Sequence, residues 1–293
     1  MGGFFGAVSA NDCILDVFYG TDYHSHLGTR RGGMTSYSAE LGFQRNIHSI
    51  ENSPFRTKFE KDVEKMRGNI CIGCISDTDP QPIMVRSKLG LYAVCSIGII
   101  QNAKALSEEL LENGCANFET MSSGNINSGG LIGALIAQKP TFVEGIRYAQ
   151  SKIEGTMSLV IMTEDSIICA RDKAGKLPIL IGKRSDGYCF SFESFAYQKL
   201  GYETCHELKA GEITKLTKDG YEVLYEGTDE MKICTFLWTY YGYPTACYEG
   251  VNVEVMRTKN GEIMAISYST ETVLLDPGGV QDFVESQEQK IQD

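Results

Sequence analysis

This sequence of 293 residues lacks the segments that mark membrane and secreted proteins. No apolar run approaches the ~20 residues that a membrane-spanning helix needs. The first residues lack the basic and apolar regions of a signal peptide, and Gly6 stands where an N-myristoylation signal has Ser or Thr. We therefore expect a cytoplasmic protein that does not bind membranes.

Clusters of lysine and arginine are also missing. The formal net charge is -11, and no stretch of the chain gathers the basic residues together. Nucleic-acid binding depends on neutralising phosphates with cationic side chains, which this charge balance does not supply. The sequence predicts that neither nucleic acid nor an anionic membrane is a partner.

The ten cysteines lack the pattern of a disulfide framework or a metal site. Cys71-Ile-Gly-Cys74 is a lone CxxC in a predicted strand, where side chains three residues apart point to opposite faces. A zinc site would need a second pair, and the other cysteines stand in apolar runs as small hydrophobes. We expect no metal and no cofactor. A metal or thiol-redox protein that uses Cys71, Cys74 and the histidines remains a third hypothesis.

A glycine-punctuated apolar strand opens the sequence at residues 1–9. Further apolar runs at residues 70–75 and 90–95 predict two more strands. Between them, residues 45–69 are polar and mixed, which predicts a loop region that contains a helix. Because the first strand begins at the terminus, we expect the N-terminal residues to be part of the fold.

Three consecutive helices are predicted next. Asn102 is placed to cap the first, residues 131–137 form an apolar second, and Thr141 with Glu144 has the capping-box spacing of the third. From residue 156 onward the pattern is β, with Asp-Gly pairs at hairpin positions. The first of these strands are apolar on both faces, so each sheet face must be covered. The order predicts a layered α+β sandwich.

Gly155-Thr-Met-Ser-Leu-Val-Ile-Met-Thr-Glu-Asp-Ser-Ile-Ile-Cys-Ala-Arg-Asp172 resembles a motif of the glutaminase domain of amidophosphoribosyltransferase. The family pattern is G-x-x-S-L-V-x-M-x-x-D, then A-x-R-D-P-x-G-x-x-P-L, then S-E and P-G-E. Lys173, Phe192 and Ala210 stand where the pattern has Pro, Ser and Pro. The resemblance covers roughly residues 2–230 with its motifs in order throughout.

The resemblance implies an N-terminal-nucleophile hydrolase, that is, a class II glutamine amidotransferase domain folded as a four-layer αββα sandwich. In that family an N-terminal Cys attacks the side-chain amide of glutamine, and its own α-amine acts as the base. An Asn side chain and a Gly amide stabilise the oxyanion, while an Arg and an Asp bind the substrate's carboxylate and ammonium groups. Ammonia is then released for transfer, in purine nucleotide synthesis.

Carried over by position, the catalytic residues of the family are degenerate here. The nucleophile aligns with Gly2, which has no thiol. The oxyanion pair Asn-Gly aligns with Ile97 and Gly98, so the glycine remains and the amide donor is lost. The substrate-binding Arg falls at Ser76 and the Asp at Ser128.

Arg31 and Gly32 match the Arg-Gly of the family's H-R-G-Q segment and are candidate substrate-binding residues. A structural ion pair is the alternative role for Arg31. Loss of a nucleophile lowers a rate on the order of 10⁶-fold, and relocation to Cys13, Cys74 or Cys95 would lack the terminal amine and the oxyanion geometry.

We therefore predict a pseudoenzyme that acts as a scaffold, binding or regulatory module, for which glutamine is a doubtful ligand. Its expected partners are a second copy of itself or a phosphoribosyltransferase. The alternative is an active glutamine amidotransferase that supplies ammonia through an unrecognised nucleophile.

Two parts of the chain are predicted from the resemblance. Residues 1–232 form the glutaminase-like domain, and residues 233–293 form an aromatic linker followed by a remnant of a phosphoribosyltransferase domain or a tail. A short helix is predicted over residues 249–257. Residues 273–279 share a hydrophobic strand, one acid and glycines with a phosphoribosyl-pyrophosphate loop, which we interpret as a coincidence or a remnant.

Overall fold

The computed structural model describes residues 2–114, 118, 124 and 126–262. Contacts divide the chain into two compact units, residues 1–234 and residues 235–293. The loop-like remnant at residues 273–279 and the polar C-terminal end lie outside the described residues. Where the structure describes the chain, no helix is long and apolar enough to cross a membrane.

The secondary structure of the first unit alternates between strands and helices in the order expected from the sequence. The described elements are β1 (Gly2–Ser9), α1 (Ile14–Asp22), β2 (Arg31–Ser38), β3 (Gly42–Ser49), α2 (Phe55–Val63), β4 (Ile70–Ser76), β5 (Ile83–Ser87), β6 (Gly90–Ile100), α3 (Ala103–Glu112), α4 (Ser128–Ile136), α5 (Phe142–Lys152), β7 (Gly155–Met162), β8 (Ile167–Ala170), β9 (Leu180–Arg184), β10 (Gly187–Ser191), α6 (Ser194–Gln198), β11 (Glu203–Glu207), β12 (Ile213–Leu216) and β13 (Tyr221–Tyr225).

In the described part of the chain, these strands form two sheets. The seven-stranded sheet has the order β11-β9-β10-β1-β4-β2-β3, and the six-stranded sheet has the order β13-β12-β8-β7-β6-β5. The sheets pack face to face through β1 against β6 and β4 against β7. Strand β1 is central in its sheet and buried along its whole length.

Helices cover the outer face of each sheet. On the seven-stranded sheet, α1 packs on β1 and β4, and α2 packs on α1 and β3. On the six-stranded sheet, α4 packs on β5 and β6 and contacts α3 and α5. The predicted four-layer αββα sandwich is confirmed.

The helix starts follow local capping signals. The Thr141 hydroxyl accepts the Glu144 backbone N–H at 3.2 Å and donates to the Glu144 carboxylate at 3.0 Å, so the predicted capping box is confirmed. Helix α3 begins after Asn102 as predicted, but the Asn102 side chain bonds instead to the Lys152 carbonyl and the Glu154 N–H. The sequence therefore located the start of the helix at Asn102 but did not predict which groups the Asn102 side chain would bond to.

Two predicted segments differ from the structure. Residues 45–69, expected as a loop region with a helix, contain most of β3 as well as α2; β3 is a mostly half-buried strand at the sheet edge, without the apolar run that predicts a strand. The helix expected over residues 249–257 begins only at Val253. Glu249 has φ +48 and lies in the turn of a hairpin whose strands are β14 (Cys247–Tyr248) and β15 (Val251–Asn252).

The described part of the second unit packs around Trp238. Its indole N–H donates to the Val251 carbonyl at 3.0 Å, and its ring meets Tyr248 edge-on at 5.8 Å between centroids. Arg257 donates to the carbonyls of Trp238 and Gly242, both at 2.8 Å. The aromatic residues of this unit therefore form a small core of their own.

We expect Phe4→Ala to destabilise the fold by about 3–5 kcal/mol, because truncating a buried ring leaves a cavity in a packed core. Phe4 is buried in β1 and meets the Phe190 and Phe192 rings edge-on. Denaturant unfolding measures the change. Leu41→Ala, at a side chain that is 48% exposed, is the matched control; equal effects of the two variants would contradict a core centred on β1.

Candidate functional site

Three of the sequence-predicted positions lie side by side at one end of the seven-stranded sheet. Gly2 in β1 is directly opposite Ser76 in β4, and Ser76 is opposite Arg31 in β2. The residues are far apart in sequence and meet because the three strands are neighbours. The structure therefore brings together the nucleophile position and two of the substrate-binding positions.

Gly2, at the nucleophile position, is buried and tightly enclosed. A Cβ atom at this residue would lie 2.5 Å from the Ile75 carbonyl oxygen, which is backbone and cannot rotate away. Any side chain here therefore requires a shift of β1 or β4. Residue 2 therefore has no thiol, and the present backbone leaves no space for a side chain that would carry one.

Ser76, at the position of the substrate-binding arginine, is almost fully buried. Its hydroxyl oxygen accepts the backbone N–H groups of Thr78 and Asp79, both at 3.2 Å. A serine that bonds to backbone two and three residues onward stabilises a turn. Ser76 thus stabilises the loop that follows it, residues 77–82, and provides no positive charge that could bind a carboxylate.

The loop of residues 77–82 connects Ser76 to the fourth predicted position, Ser128. The Asp79 carboxylate accepts the Ser128 backbone N–H at 3.0 Å. Asn127 donates to the Pro80 carbonyl at 3.2 Å, and its side-chain oxygen accepts the first N–H groups of α4. Asn127 is therefore the N-cap of this helix, which sequence reasoning missed because the Gly-rich segment before it gave no clear helix start.

The same loop also reaches the oxyanion positions in the six-stranded sheet. Gln81 is buried; its amide donates to the Ser96 carbonyl at 3.0 Å and accepts the Ser96 N–H at 2.6 Å. Ile97 follows with a buried aliphatic side chain. Gly98 has φ +149, and a Cβ there would collide with the Thr156 carbonyl oxygen. The backbone itself thus requires glycine at residue 98.

Arg31 and Gly32 lie in different surroundings, one exposed and one buried. The Arg31 side chain is exposed at the first residue of β2, and its structural ion pair stays a prediction. Gly32 is buried, and a Cβ there would lie 2.7 Å from the Phe55 ring of α2. Close packing of α2 on β2 accounts for this glycine.

A buried polar cluster adjoins the start of β1. The His24 ring packs on Gly3, its Nδ1–H donates to the Gly20 carbonyl at 2.7 Å, and its Nε2 lies 3.2 Å from the Ser191 hydroxyl. Burial lowers the pKa of His24 to about 4, although the nearby Glu193 carboxylate acts to raise it. His24 is therefore a neutral, satisfied core residue near neutral pH.

Glu193 extends this cluster toward the surface. Its buried carboxylate lies 2.8 Å from the Nε2 atom of His26, whose ring is about one-third exposed. The sequence showed both histidines near the first helix, but only the fold places them against residues of β10 and α6. The two histidines belong to a cluster with Ser191 and Glu193, which are not part of the row formed by Gly2, Ser76 and Arg31.

Among the described residues, the cysteines of β4 and β6 do not supply a reactive thiol near Gly2. Cys71 and Cys74 are buried, with Cys71 opposite Ala7 and Cys74 opposite Phe4 in the sheet. Burial, together with the neighbouring Cys74 thiol, raises the pKa of Cys95, and burial raises that of Cys71. Thiols with raised pKa values are poor nucleophiles near neutral pH. Within the described ranges, no cluster of three or more His, Cys, Asp or Glu side chains could hold a metal.

Part of the chain is similar to a known family of domains. Residues 66–198 match the family model described as "Glutamine amidotransferase domain". The resemblance to the glutaminase domain of amidophosphoribosyltransferase, predicted from the sequence, is confirmed.

The similar proteins carry that enzyme's name. An amidophosphoribosyltransferase of Archaeoglobus fulgidus is 25% identical over an alignment of 259 positions that covers 85% of this chain and 55% of that protein. One of Methanocaldococcus jannaschii is 25% identical over an alignment of 306 positions that covers 94% of this chain and 63% of that protein. The chain thus spans little more than half the length of the curated relatives it matches.

Solved structures show the same fold. The glutamine phosphoribosylpyrophosphate amidotransferase from B. subtilis, complexed with ADP and GMP, has a TM-score of 0.79 and 23% identity to this chain. The match covers 90% of this chain and 58% of that one. At this identity the similarity shows that the two proteins share a fold.

We expect Gln81→Ala to destabilise the protein by about 2–4 kcal/mol, since it leaves both the N–H and the carbonyl of Ser96 buried without a partner. Gln138→Ala, whose side chain makes one exposed bond to the Ala134 carbonyl, is the control and should have little effect. Thermal unfolding of both variants measures the difference. Equal stability of Gln81→Ala and the parent would show that the loop does not depend on this contact.

The low pKa of His24 predicts a specific loss of stability in acid. The unfolded imidazole takes up a proton below about pH 6.5, whereas the buried ring resists protonation until about pH 4. The stabilisation present above pH 6.5 should therefore fall by on the order of 3 kcal/mol between these values. Urea unfolding of the parent and of His24→Asn, measured over this pH range, isolates the contribution of His24 to stability. If the free energies of unfolding of the two proteins change with pH in parallel, that contribution is excluded.

Proposed function

We propose that this chain is an amidophosphoribosyltransferase-like glutamine amidotransferase domain that does not hydrolyse glutamine and acts as a scaffold, binding or regulatory module. The observation that carries the proposal is Gly2. It occupies the nucleophile position, and the Ile75 carbonyl oxygen stands 2.5 Å from where a Cβ would be. Without a thiol, the covalent step of the family mechanism has no attacking atom.

The loss of the nucleophile alone would reduce the rate on the order of 10⁶-fold. The oxyanion would also lack one donor, because Ile97 presents a buried aliphatic side chain where the family has an amide. Ser76 provides no positive charge for a substrate carboxylate, and its hydroxyl already accepts two backbone N–H groups. Several groups of the mechanism are therefore replaced together.

The positions that would have bound substrate are joined instead by internal hydrogen bonds. Asp79 connects the loop of residues 77–82 to α4, and Gln81 connects it to β6 in the other sheet. Buried polar groups need partners, and here the partners come from the protein itself. This arrangement supports a module whose site is kept for folding and binding rather than for turnover.

The alternative of an active enzyme with a relocated nucleophile finds little support in the described cysteines. Cys13, Cys74 and Cys95 are all buried. Cys205 is exposed, but it lies in β11 at the sheet edge, and burial of its thiol raises its pKa. Cys13, Cys74 and Cys95 lack exposure, and the exposed Cys205 has a raised pKa.

We further propose that the module associates with a second copy of itself or with a phosphoribosyltransferase partner. The chain matches relatives named amidophosphoribosyltransferase while spanning little more than half their length.

Purified full-length protein should release no ammonia from glutamine above the background rate, because the thiol is missing. A coupled glutamate dehydrogenase assay, with an intact amidophosphoribosyltransferase as the positive control, measures this. Gly2→Cys should remain inactive, since Ser76 and Ile97 still lack the required groups. Turnover by the parent protein within about 100-fold of the intact enzyme would overturn the proposal.

An electrophilic glutamine analogue tests the alternative directly. The analogue forms a thioether only with an activated cysteine, so intact-mass spectrometry of the treated parent protein should show no adduct. A single stoichiometric adduct, mapped to one cysteine and prevented by excess glutamine, would identify an active site with a relocated nucleophile.

A further inference from the structure

The seven-stranded sheet ends in an open edge at β3, which pairs with β2 on one side and with no described strand on the other. The Ile50 N–H donates to the Arg30 carbonyl at 2.9 Å, just before the paired residues Arg31 and Ser49. Since such bonds recur at every second residue of an antiparallel pair, the remaining residues of β3 turn their backbone N–H and C=O groups away from β2. These outward-facing residues are Phe43, Arg45, Ile47 and Ser49.

Strand β3 lacks the features that block further pairing at a sheet edge, which are charged side chains, prolines, bulges and short length. The other described edge strands have them. Strand β11 has a bulge and carries Glu203 and Glu207, and β13 has a bulge and carries Glu222. Strand β5 has five residues, one of them Arg86. By contrast, β3 has eight residues in continuous register with β2, no proline, and Arg45 in place of any lysine or carboxylate.

Two polar side chains of β3, on the side of α2, have complementary groups left over. The Gln44 carbonyl oxygen accepts the Arg67 backbone N–H at 3.0 Å, which leaves the NH₂ group of Gln44 as a donor. The Nε2 atom of His48 lies 2.6 Å from the Asp62 carboxylate, so in the neutral ring Nε2 carries the proton and Nδ1 is an acceptor. Among the described residues, neither the Gln44 NH₂ group nor the His48 Nδ1 atom has a partner.

We propose that β3 pairs antiparallel with β3 of a second copy of this chain, with the two-fold axis at Asn46. In this register Gln44 lies opposite His48 of the second copy, so the amide left over on one strand donates to the ring nitrogen left over on the other. Asn46 lies opposite Asn46 of the second copy, and the two amides can bond to each other. This inference rests on the proposed association of the module with itself and names the surface that the association uses.

The backbone supports the same register. With the axis at Asn46, Arg45 pairs with Ile47 and Phe43 pairs with Ser49 of the second copy, and each pair exchanges two backbone hydrogen bonds. An axis at Arg45 would set two arginines directly opposite each other, which destabilises the pairing. An axis at Ile47 would leave Phe43 opposite a residue beyond the end of β3. The axis at Asn46 thus gives the longest pairing without opposed like charges, and Arg45 donates to the Pro82 carbonyl of its own chain at 3.4 Å.

A cysteine placed on the axis tests the register. The Cα atoms of a non-hydrogen-bonded pair are about 4.5 Å apart, which a disulfide can span. Full-length Asn46→Cys treated with copper phenanthroline as the oxidant should therefore form a covalent dimer. Gln44→Cys, on the same strand and face, is the matched control; its equivalent residues would be about 14 Å apart and should not cross-link. Peptide mass spectrometry separates a link at residue 46 from links through the exposed Cys205.

A second variant tests the role of the backbone. Sedimentation velocity of the parent protein between about 1 and 200 μM should show a dimer whose fraction rises with concentration. Ile47→Pro removes an N–H that faces away from β2, so it should weaken dimerisation about tenfold or more and leave the β2–β3 bonds in place. Ile47→Thr retains the N–H and should dimerise within about threefold of the parent. Thermal midpoints show whether each variant is folded, and the cross-linking test does not depend on the proline variant.

Three outcomes would overturn the proposal: a parent protein that stays monomeric at every concentration, equal cross-linking of the residue 44 and residue 46 variants, or a folded Ile47→Pro that dimerises as the parent does. The ammonia assay distinguishes this failure from that of the proposed function. A monomer that releases no ammonia would refute the β3 pairing alone, and an active dimer would refute the lack of glutaminase activity alone.

Discussion

The pairing of β1 with β4 is the interaction on which the candidate site depends. It sets Gly2 opposite Ser76, and the pairing of β4 with β2 then sets Arg31 beside them. A slip of one residue would move every side chain of β1 to the other face of the sheet. Burial of Phe4 and Phe5 on opposite faces of β1 prevents that slip. The positions of the site are therefore held by the packing of the core immediately beside it.

The loop of residues 77–82 connects the predicted site positions by hydrogen bonds within the protein. Where the family uses a charged clamp and an amide donor for a substrate, this chain uses Ser76, Asp79 and Gln81 for bonds to its own backbone. Because these groups are buried, their hydrogen bonds stabilise the junction between the two sheets and α4. The framework can persist after turnover is lost, which is what the proposed scaffold or regulatory role requires.

The outer helical layer has a different constraint. Helices α1 and α2 must bury their inner faces on β1, β4 and β3, but that requirement leaves their outward faces free to vary. The exposed Leu15 and Tyr19 lie on this free side. A binding module could therefore gain a partner surface there without disturbing the strand register that holds Gly2 in place.

Local signals in the sequence determined the capping box of Thr141 and Glu144, the order of strands and helices, and the absence of a thiol at Gly2, because each depends on residues close together in the chain. The tertiary structure alone decided that Ser76 is occupied by its own turn, and that Glu249 lies in a hairpin rather than in a helix. These features depend on strand pairing and hydrogen bonds between distant residues, which spacing along the sequence does not encode.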